Sequence, residues 1–368
     1  MEKTDEDPNL PSKIIWVEIL PRLPRKKLMQ FRCVSKSWKA LLSANPGFWR
    51  IHRNFHPHNT GYLLFKAHSG SAFGSGSDVT RKHYLLLVKA GQDRNTPSYV
   101  TDLMPLPFQI IKTPYANSLV LGRSGWINDP IYIYNPFAQD SVIVPNPTFE
   151  YEQLSIGFSP RTNEYKVVAT LRVPGYVATL RVEGLVGFKI FTLGQCSWRD
   201  MVVDWYDLSF VHPPSSDFWN STVCVHGVLH WLAPSDEVIF ALDIGDERFR
   251  IIPVPSHIRS SKKIIEVDGC LCIVCETGKV WILKDYIHQV WVAETIEFPR
   301  RIFRLPQCAS DTGELVFGVS KDNYLQLYDR KSKSSRQSEI IFPKMFSDLG
   351  LRLDYSDDRC DDCIVPLQ

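Results

Sequence analysis

The chain has 368 residues, of which 44% are hydrophobic and 22% are charged, and its net charge is +2. These proportions are typical of a folded globular protein and exclude a disordered or fibrous chain. The near-neutral total favours neither a nucleic-acid nor a membrane partner, and we expect neither. The polar start, the lack of a transmembrane-length apolar run and nine cysteines without disulfide spacing predict a protein of the cytosol or nucleus.

The first ordered segment, residues 10–48, has the pattern of three short helices. Ser12 is suited to cap the first helix, and apolar residues four apart, such as Ile15 and Ile19, give it one apolar face. Pro21 and Pro24 predict its end, because a proline ring removes a donor and clashes with the preceding turn. About forty residues are too few to bury a complete core, so the segment is predicted to be a docking module.

This segment resembles the F-box in its plant form, on the strings Leu10-Pro11, Ile19-Leu20, Leu23-Pro24 and FRCVSKSW at 31–38. The resemblance implies binding to a Skp1-type adaptor and, through it, to a cullin. The positions that match the adaptor-facing motif are Leu10, Pro11, Ile15, Ile19, Leu20, Leu23, Val34 and Trp38. Leu28, Phe31 and Leu41 are instead expected to form internal core.

The charge distribution agrees with a protein partner for this segment. Residues 10–55 contain ten Lys or Arg and one acid, Glu18, which leaves the rest of the chain at about −7. A basic helical face is compatible with nucleic acid, but it equally suits an acidic protein surface. The F-box resemblance favours the protein partner.

From residue 56 the chain changes to short alternating apolar runs between Gly, Pro, Asn and Asp clusters, which predicts an all-β domain. An alternating strand with a polar residue near its end recurs, with anchors 57, 51, 41 and 45 residues apart at Tyr134, Phe191, Leu242, Leu283 and Tyr328. Propeller blades have about 40–50 residues. We therefore predict about six blades, over 60–112, 117–147, 153–204, 218–255, 262–298 and 303–345.

The same region resembles the F-box-associated, kelch-like domain of plant F-box proteins, although it lacks double-glycine kelch motifs. The matching strings include YNP at 134–136, IGFSP at 156–160 and HGVLHWL at 226–232. The expected class is therefore α+β and multidomain, with a small three-helix F-box followed by an all-β propeller. The predicted boundaries are 1–9 disordered, 10–55 F-box, 56–345 propeller and 346–368 acidic tail.

No catalytic constellation is present in the sequence, and we expect no cofactor and no metal site. His226 and His230 lie on a predicted hairpin and lack the carboxylate of a zinc protease, so they are interpreted as structural. Cys270 and Cys272 share one face of a predicted strand, as small buried hydrophobes do. Cys360 and Cys363 lie in the acidic tail.

The F-box resemblance implies a non-catalytic substrate-recognition subunit of a Skp1–cullin–F-box ubiquitin ligase. Exposed loop aromatics are frequent partner anchors, so the predicted substrate contacts are Trp205, Tyr206, Phe218 and Trp219. The other tryptophans are expected to pack blades. The alternatives are an F-box scaffold that acts outside a ligase and, less favoured, an enzyme with a propeller domain.

Overall fold

The computed structural model describes residues 14–23, 28, 31, 38, 62–69, 82–93, 95–106, 119–123, 130–136, 140–147, 151–171, 187–202, 222–232, 238–256, 258, 262–296, 305–310, 313–320, 322–353 and 364–366. The chain forms two compact units. One comprises Met1–Asn59 with Phe137–Asp140, and the other comprises Thr60–Pro136 with Ser141–Gln368.

The first unit contains a helical segment that ends before Pro24, as the sequence predicts. A π-helical turn over Ile15–Ile19 continues into a 3-10 turn over Leu20–Arg22. Leu23 is extended, at φ −83° and ψ 146°, because the residue before a proline is disfavoured in the helical region. Leu28, Phe31 and Trp38 are helical, but the bounds and number of the later helices lie outside the described residues and stay a prediction.

The second unit is built almost wholly of strands. The described strands are β1 Tyr62–Ser69, β2 His83–Lys89, β3 Ser98–Leu106, β4 Val120–Arg123, β5 Ile131–Asn135, β6 Asp140–Val144, β7 Tyr151–Ser159, β8 Glu164–Leu171, β9 Gly187–Thr192, β10 Arg199–Val202, β11 Thr222–Val225, β12 Val228–Leu232, β13 Val238–Asp243, β14 Arg248–Pro253, β15 Lys262–Val267, β16 Cys270–Cys275, β17 Lys279–Asp285, β18 Val290–Thr295, β19 Cys308–Ala309, β20 Leu315–Val319, β21 Tyr324–Asp329, β22 Ser334–Ile341, β23 Leu351–Leu353 and β24 Ile364–Pro366. One short helix, α1, spans Lys344–Asp348.

These strands group into six antiparallel meanders, which we call blades 1 to 6. Blade 1 contains β1–β3 with β23 and β24, and blades 2 to 6 contain β4–β6, β7–β10, β11–β14, β15–β18 and β19–β22. Each meander falls inside its predicted range, except that β7 begins two residues before 153 and that the two C-terminal strands lie beyond 345. Blades 6 and 1 join edge to edge, because β22 pairs in parallel with β3 through Ile340 opposite Ser98.

Successive blades bury their faces against each other, which is consistent with a β-propeller-like domain. Trp231 of β12 is fully buried with Phe188 and Val168 of blade 3, and its indole N–H donates to Ser155 Oγ at 3.4 Å. Similar apolar clusters join blades 2 and 3, 4 and 5, 5 and 6, and 6 and 1. Each short sheet is thus stabilised by its neighbours, which is the reason that repetition makes such strands stable.

The C-terminal region corrects the predicted boundary at 345. β23 pairs antiparallel with β1, with Leu353 opposite Ala67, and β24 pairs with the same strand, with Val365 opposite Leu64. Leu351 and Leu353 are buried in the core between blades 1 and 6. The acidic composition hid this, because the alternating apolar residues are few. Residues 354–363, with Cys360 and Cys363, lie outside the described residues.

The predicted hairpin turns are confirmed at the ends of the first strands in blades 4 and 5. His226 and Gly227 have φ values of 50° and 82°, and Asp268 and Gly269 have 51° and 74°. Two consecutive positive φ angles are what a type I′ turn needs, and Asp-Gly supplies them at low steric cost. His226 is therefore a residue of this turn.

Candidate functional site

The helical segment exposes several large apolar side chains. Ile14, Val17 and Ile19 are 44%, 36% and 41% exposed, whereas Leu20 and Leu28 are buried at 1% and 0%. Large apolar groups left in water at this density, over ten residues of helical turn, mark a surface that a partner can cover.

The predicted adaptor contacts that the structure describes divide into three groups by exposure. Ile19 is exposed, while Ile15, Leu23 and Trp38 are half-buried against the small core of Leu20 and Leu28. Leu20 itself is buried, so its main role is to pack the segment rather than to contact a partner. Leu10, Pro11 and Val34 lie outside the described residues.

The residues of this segment that are predicted to be internal differ in how deeply they are buried. Leu28 is buried, as expected, and Phe31 is half-buried. The Phe31 ring meets Trp38 edge to face, with centroids 5.8 Å apart, which is a favoured aromatic geometry. Leu41 lies outside the described residues.

An exposed ion pair lies at the end of the helical turn. Arg22 Nε donates to the Glu18 carbonyl at 2.8 Å, and its Nη2 lies 3.2 Å from Glu18 Oε2. Both side chains are exposed, so the pair contributes little stability. The pair places a positive charge beside Glu18, which is the one acid in residues 10–55.

In the second unit the strands of each blade begin and end on two opposite sides, and these sides differ in the chain connections that they carry. We call each of these sides an edge, which is distinct from the outer strand of a blade. Val202 lies opposite Gly187, and Thr170 lies opposite Phe188, so β8, β9 and β10 have ends at one edge. At the opposite edge Gly227 packs so closely on blade 3 that a Cβ would meet Pro160 Cδ at 2.7 Å. β11 therefore begins, at Thr222, at the same edge where β10 ends.

We call the first of these the long-connection edge, since the chain between its strand ends runs over 172–186 and 203–221. The four predicted substrate contacts, Trp205, Tyr206, Phe218 and Trp219, belong to the second connection. Their side chains lie outside the described residues. What the strands establish is that both connections depart from and return to one edge of blades 3 and 4.

The opposite edge, which we call the hairpin edge, is cross-linked by ion pairs between blades. Glu247 of blade 4 accepts from Lys166 Nζ at 2.7 Å and from Arg199 Nη2 at 2.6 Å, both in blade 3. Burial opposes ionisation of Glu247, but the hydrogen bonds from Arg199 and Lys166 outweigh it and lower its pKa. Arg161 and Asp246 add a further pair across the same junction.

A second network at this edge joins blades 5 and 6. Arg330 donates to Glu294 Oε2 at 2.7 Å and to Asp268 Oδ2 at 2.8 Å, and its side chain is only 12% exposed. In both networks the charged side chains of the turns pair with charged side chains of the neighbouring blade. The sequence signal for them was the recurrent polar residue near the strand ends, but the partners could not be identified without the fold.

His230 and Cys272, which carry groups capable of chemistry, are buried among packed residues. His230 is fully buried, its Nε2 lies 2.9 Å from Tyr286 Oη, and burial lowers its pKa to about 3. Cys272 faces the core between blades 5 and 6, with Cys270 on the same face as predicted, and burial raises the pKa of the Cys272 thiol. Among the described residues, no three His, Cys, Asp or Glu side chains group as metal ligands do.

Two family models match this chain. One, described as an F-box domain, matches residues 8–49, and the other, described as an F-box associated beta propeller domain, matches residues 77–355. An F-box followed by a bladed β domain defines a class of protein-interaction proteins. The chain belongs to the F-box proteins with an F-box-associated β-propeller domain.

Curated relatives from Arabidopsis thaliana agree with this assignment. The chain is 27% identical to the putative F-box protein At4g38870, over 84% of this chain and 76% of the relative. It is 26% identical to F-box protein At3g07870, over 78% of this chain and 72% of the relative. It is 26% identical to F-box protein At1g52495, over 91% of this chain and 81% of the relative. The combination of these two domains supports a general role as a substrate adaptor.

None of the helices in the described part of the chain is both long enough and apolar enough to cross a lipid bilayer.

Proposed function

We propose that this protein is the substrate-recognition subunit of a Skp1–cullin–F-box ubiquitin ligase in the cytoplasm or nucleus. The observation that carries the proposal is the F-box match over a helical segment that leaves Ile14, Val17 and Ile19 exposed. A Skp1-type adaptor would cover these groups and connect the chain to a cullin. The protein itself would be non-catalytic, since its contribution is to raise the effective concentration of the target near the ubiquitin-transferring subunits.

The burial pattern sharpens the experiment on adaptor docking. Ile19→Glu places a charge on an exposed position, while Leu20→Ala removes a side chain that supports the fold of the segment. Ile143→Glu is a matched control, because Ile143 is 61% exposed on β6 of the β domain. We expect Ile19→Glu to abolish co-purification with a Skp1-type adaptor and Ile143→Glu to leave it unchanged.

The same preparation separates a ligase from a scaffold. Wild-type protein co-expressed with adaptor and cullin should form a complex that the Ile19→Glu variant does not form. Adaptor binding without cullin would support a scaffold that acts outside a ligase. Unchanged adaptor binding by Ile19→Glu, and by a Leu10→Ala, Pro11→Ala double variant, would refute the docking assignment.

We also propose that the target protein binds at the long-connection edge. Trp205, Tyr206, Phe218 and Trp219 belong to a connection at this edge, whereas the charged turns of the hairpin edge are paired between blades. Large aromatic side chains are the usual anchors of protein interfaces. Alanine at both Trp205 and Trp219 should weaken target capture in a proximity-labelling comparison without changing adaptor binding. Equal labelling of targets would contradict this assignment.

A further inference from the structure

Three hairpins at the hairpin edge have the same construction. Asp243–Glu247, Asp285–Gln289 and Asp329–Lys333 join the third and fourth strands of blades 4, 5 and 6. In each, the first Asp accepts backbone N–H groups two or three residues ahead, at 2.8–2.9 Å. The fifth residue has a positive φ, at 55°, 56° and 51°. The β17 strand of blade 5 has a register shift between Leu283 and Asp285 that the other two hairpins lack. In all three, however, the first Asp pairs with the residue five positions ahead, so the side chains of the turn and of the fourth strand can be compared position by position.

Blade 5 differs from the other two at three positions, which are two, five and seven residues after the Asp. Blades 4 and 6 have small or polar residues there, while blade 5 has Ile287, Val290 and Val292. The corresponding residues are Gly245, Arg248 and Arg250 in blade 4 and Lys331, Ser334 and Arg336 in blade 6. Ile287 is 83% exposed, and Val290 and Val292 are 47% and 44% exposed. We call these three residues the apolar strip.

The turn holds the first residue of the strip in a fixed conformation. Asp285 Oδ1 accepts the N–H of Ile287 at 2.9 Å and of His288 at 2.8 Å, while Asp285 Oδ2 lies 2.8 Å from His288 Nδ1. The backbone N–H of His288 is the main reason that the pKa of Asp285 is lowered. These hydrogen bonds fix the backbone at Ile287, so a partner that binds there has less backbone conformational entropy to remove.

The backbone next to the strip is also available. Among the described strands, β18 pairs with β17 alone and is the outermost strand of its sheet. The equivalent strand of blade 6, β22, accepts a further strand, because Ile340 and Ile341 pair in parallel with Ser98 and Tyr99. This fold therefore joins two outer strands in one place, at the end of β22 that is far from its turn. Among the described strands, none is paired with the outer edge of β18 beside the strip.

We propose that the outer edge of blade 5 binds an extended segment of a partner protein as a fifth strand. Its β-branched or apolar side chains would alternate along the strand and lie beside Val290 and Val292, as cross-strand neighbours do. The strip consists of three side chains, which are too few to fill the ~800 Å² per partner of a stable interface. A strip of this size suits a short segment held also by main-chain hydrogen bonds, and it is too small for a dimer of this chain. Its residues are different from those that we assign to adaptor docking and to target capture.

The test uses the purified full chain and a labelled synthetic peptide in which valine and threonine alternate, with lysines at both ends. The variant carries Ile287→Gly, Val290→Arg and Val292→Arg, the residues that blade 4 tolerates in an equivalent hairpin. We expect fluorescence anisotropy to show binding to wild type that falls about tenfold or more in this variant. Val142→Arg, on the outer strand β6, is the control and should bind like wild type. A peptide N-methylated at alternate amides cannot complete the ladder and should not bind.

Each other outcome overturns the proposal. Absent binding to wild type, equal binding by the triple variant, or equal binding of the N-methylated peptide would refute strand addition at this edge. Self-association in sedimentation that the triple variant abolishes would assign the strip to a second copy instead. Circular dichroism confirms that the triple variant is folded, and its adaptor binding should be unchanged, so failure here is distinguishable from failure of the proposed function.

Discussion

Replacing Leu351 and Leu353 by alanine tests whether the C-terminal strands complete the β domain. Both side chains are 6% exposed and lie in the core shared by blades 1 and 6. A buried Leu→Ala change costs about 2–5 kcal/mol, and the lower end applies to a strand of three residues. The double variant should therefore lose about 4 kcal/mol of unfolding free energy, a large part of the ~5–15 kcal/mol that holds an ordinary domain.

The assay is urea unfolding followed by tryptophan fluorescence, with a thermal scan beside it. At roughly 2 °C per kcal/mol for a large domain, the midpoint should fall by about 8 °C. Leu349→Ala is the matched control, because Leu349 precedes the strand and is 42% exposed, so its effect should stay within about 0.5 kcal/mol. Truncation after Leu353 removes β24 alone and shows how much of the loss belongs to β23.

An unchanged midpoint in the double variant would refute the prediction that the C-terminal strands complete the β domain. It would mean that β1 gains nothing from the strand on its second side. The consequence for experiments is practical, since deletion of the last 18 residues would then be harmless, whereas we expect it to destabilise the whole β domain.

Three further predictions concern the contacts between blades. Because the pKa of Glu247 is lowered in the folded state, its stabilising effect is complete above the unfolded pKa of about 4.3 and is lost as pH falls through the folded pKa. The difference in unfolding free energy between wild type and Glu247→Gln should accordingly shrink between pH 6 and pH 3, and a constant difference would show that the charge is irrelevant. Arg330→Met should cost about 1–3 kcal/mol by leaving Glu294 without its partner, and a double-mutant cycle with Glu294→Gln should show coupling; additive effects would argue against the bridge. Trp231→Ala should cost about 3–5 kcal/mol in urea unfolding, since the side chain is fully buried between blades 3 and 4, and a loss below 1 kcal/mol would contradict that burial.

The comparison of the three matched hairpins shows why repeats are useful for finding function. Within one fold, equivalent positions meet the same steric and solvent conditions, so a departure at such a position is not required by the backbone. Ile287, Val290 and Val292 depart together, on one hairpin, from the small and charged residues of its neighbours. A structural need would be expected to appear in all three hairpins, which is why we assign the apolar strip to binding.

The sequence by itself determined the order of the parts. Pro24 ends the first helical segment because of local sterics, and the spacing of alternating strands identifies the meanders because β periodicity is a property of neighbours along the chain. The turn at Asp268 and Gly269 was predictable for the same reason, since positive φ angles depend on the residue type in place.

Only the tertiary structure decided which residues of these parts are internal and which are free. Ile19 and Leu20 are adjacent and similarly apolar, yet one is 41% exposed and the other 1%, because exposure depends on what packs on each side. Leu351 and Leu353 belong to the core through pairing with β1, nearly 300 residues earlier, and Arg330 meets Asp268 and Glu294 across a blade junction. Contacts between residues so distant along the chain leave no local pattern, and only the folded chain brings them together.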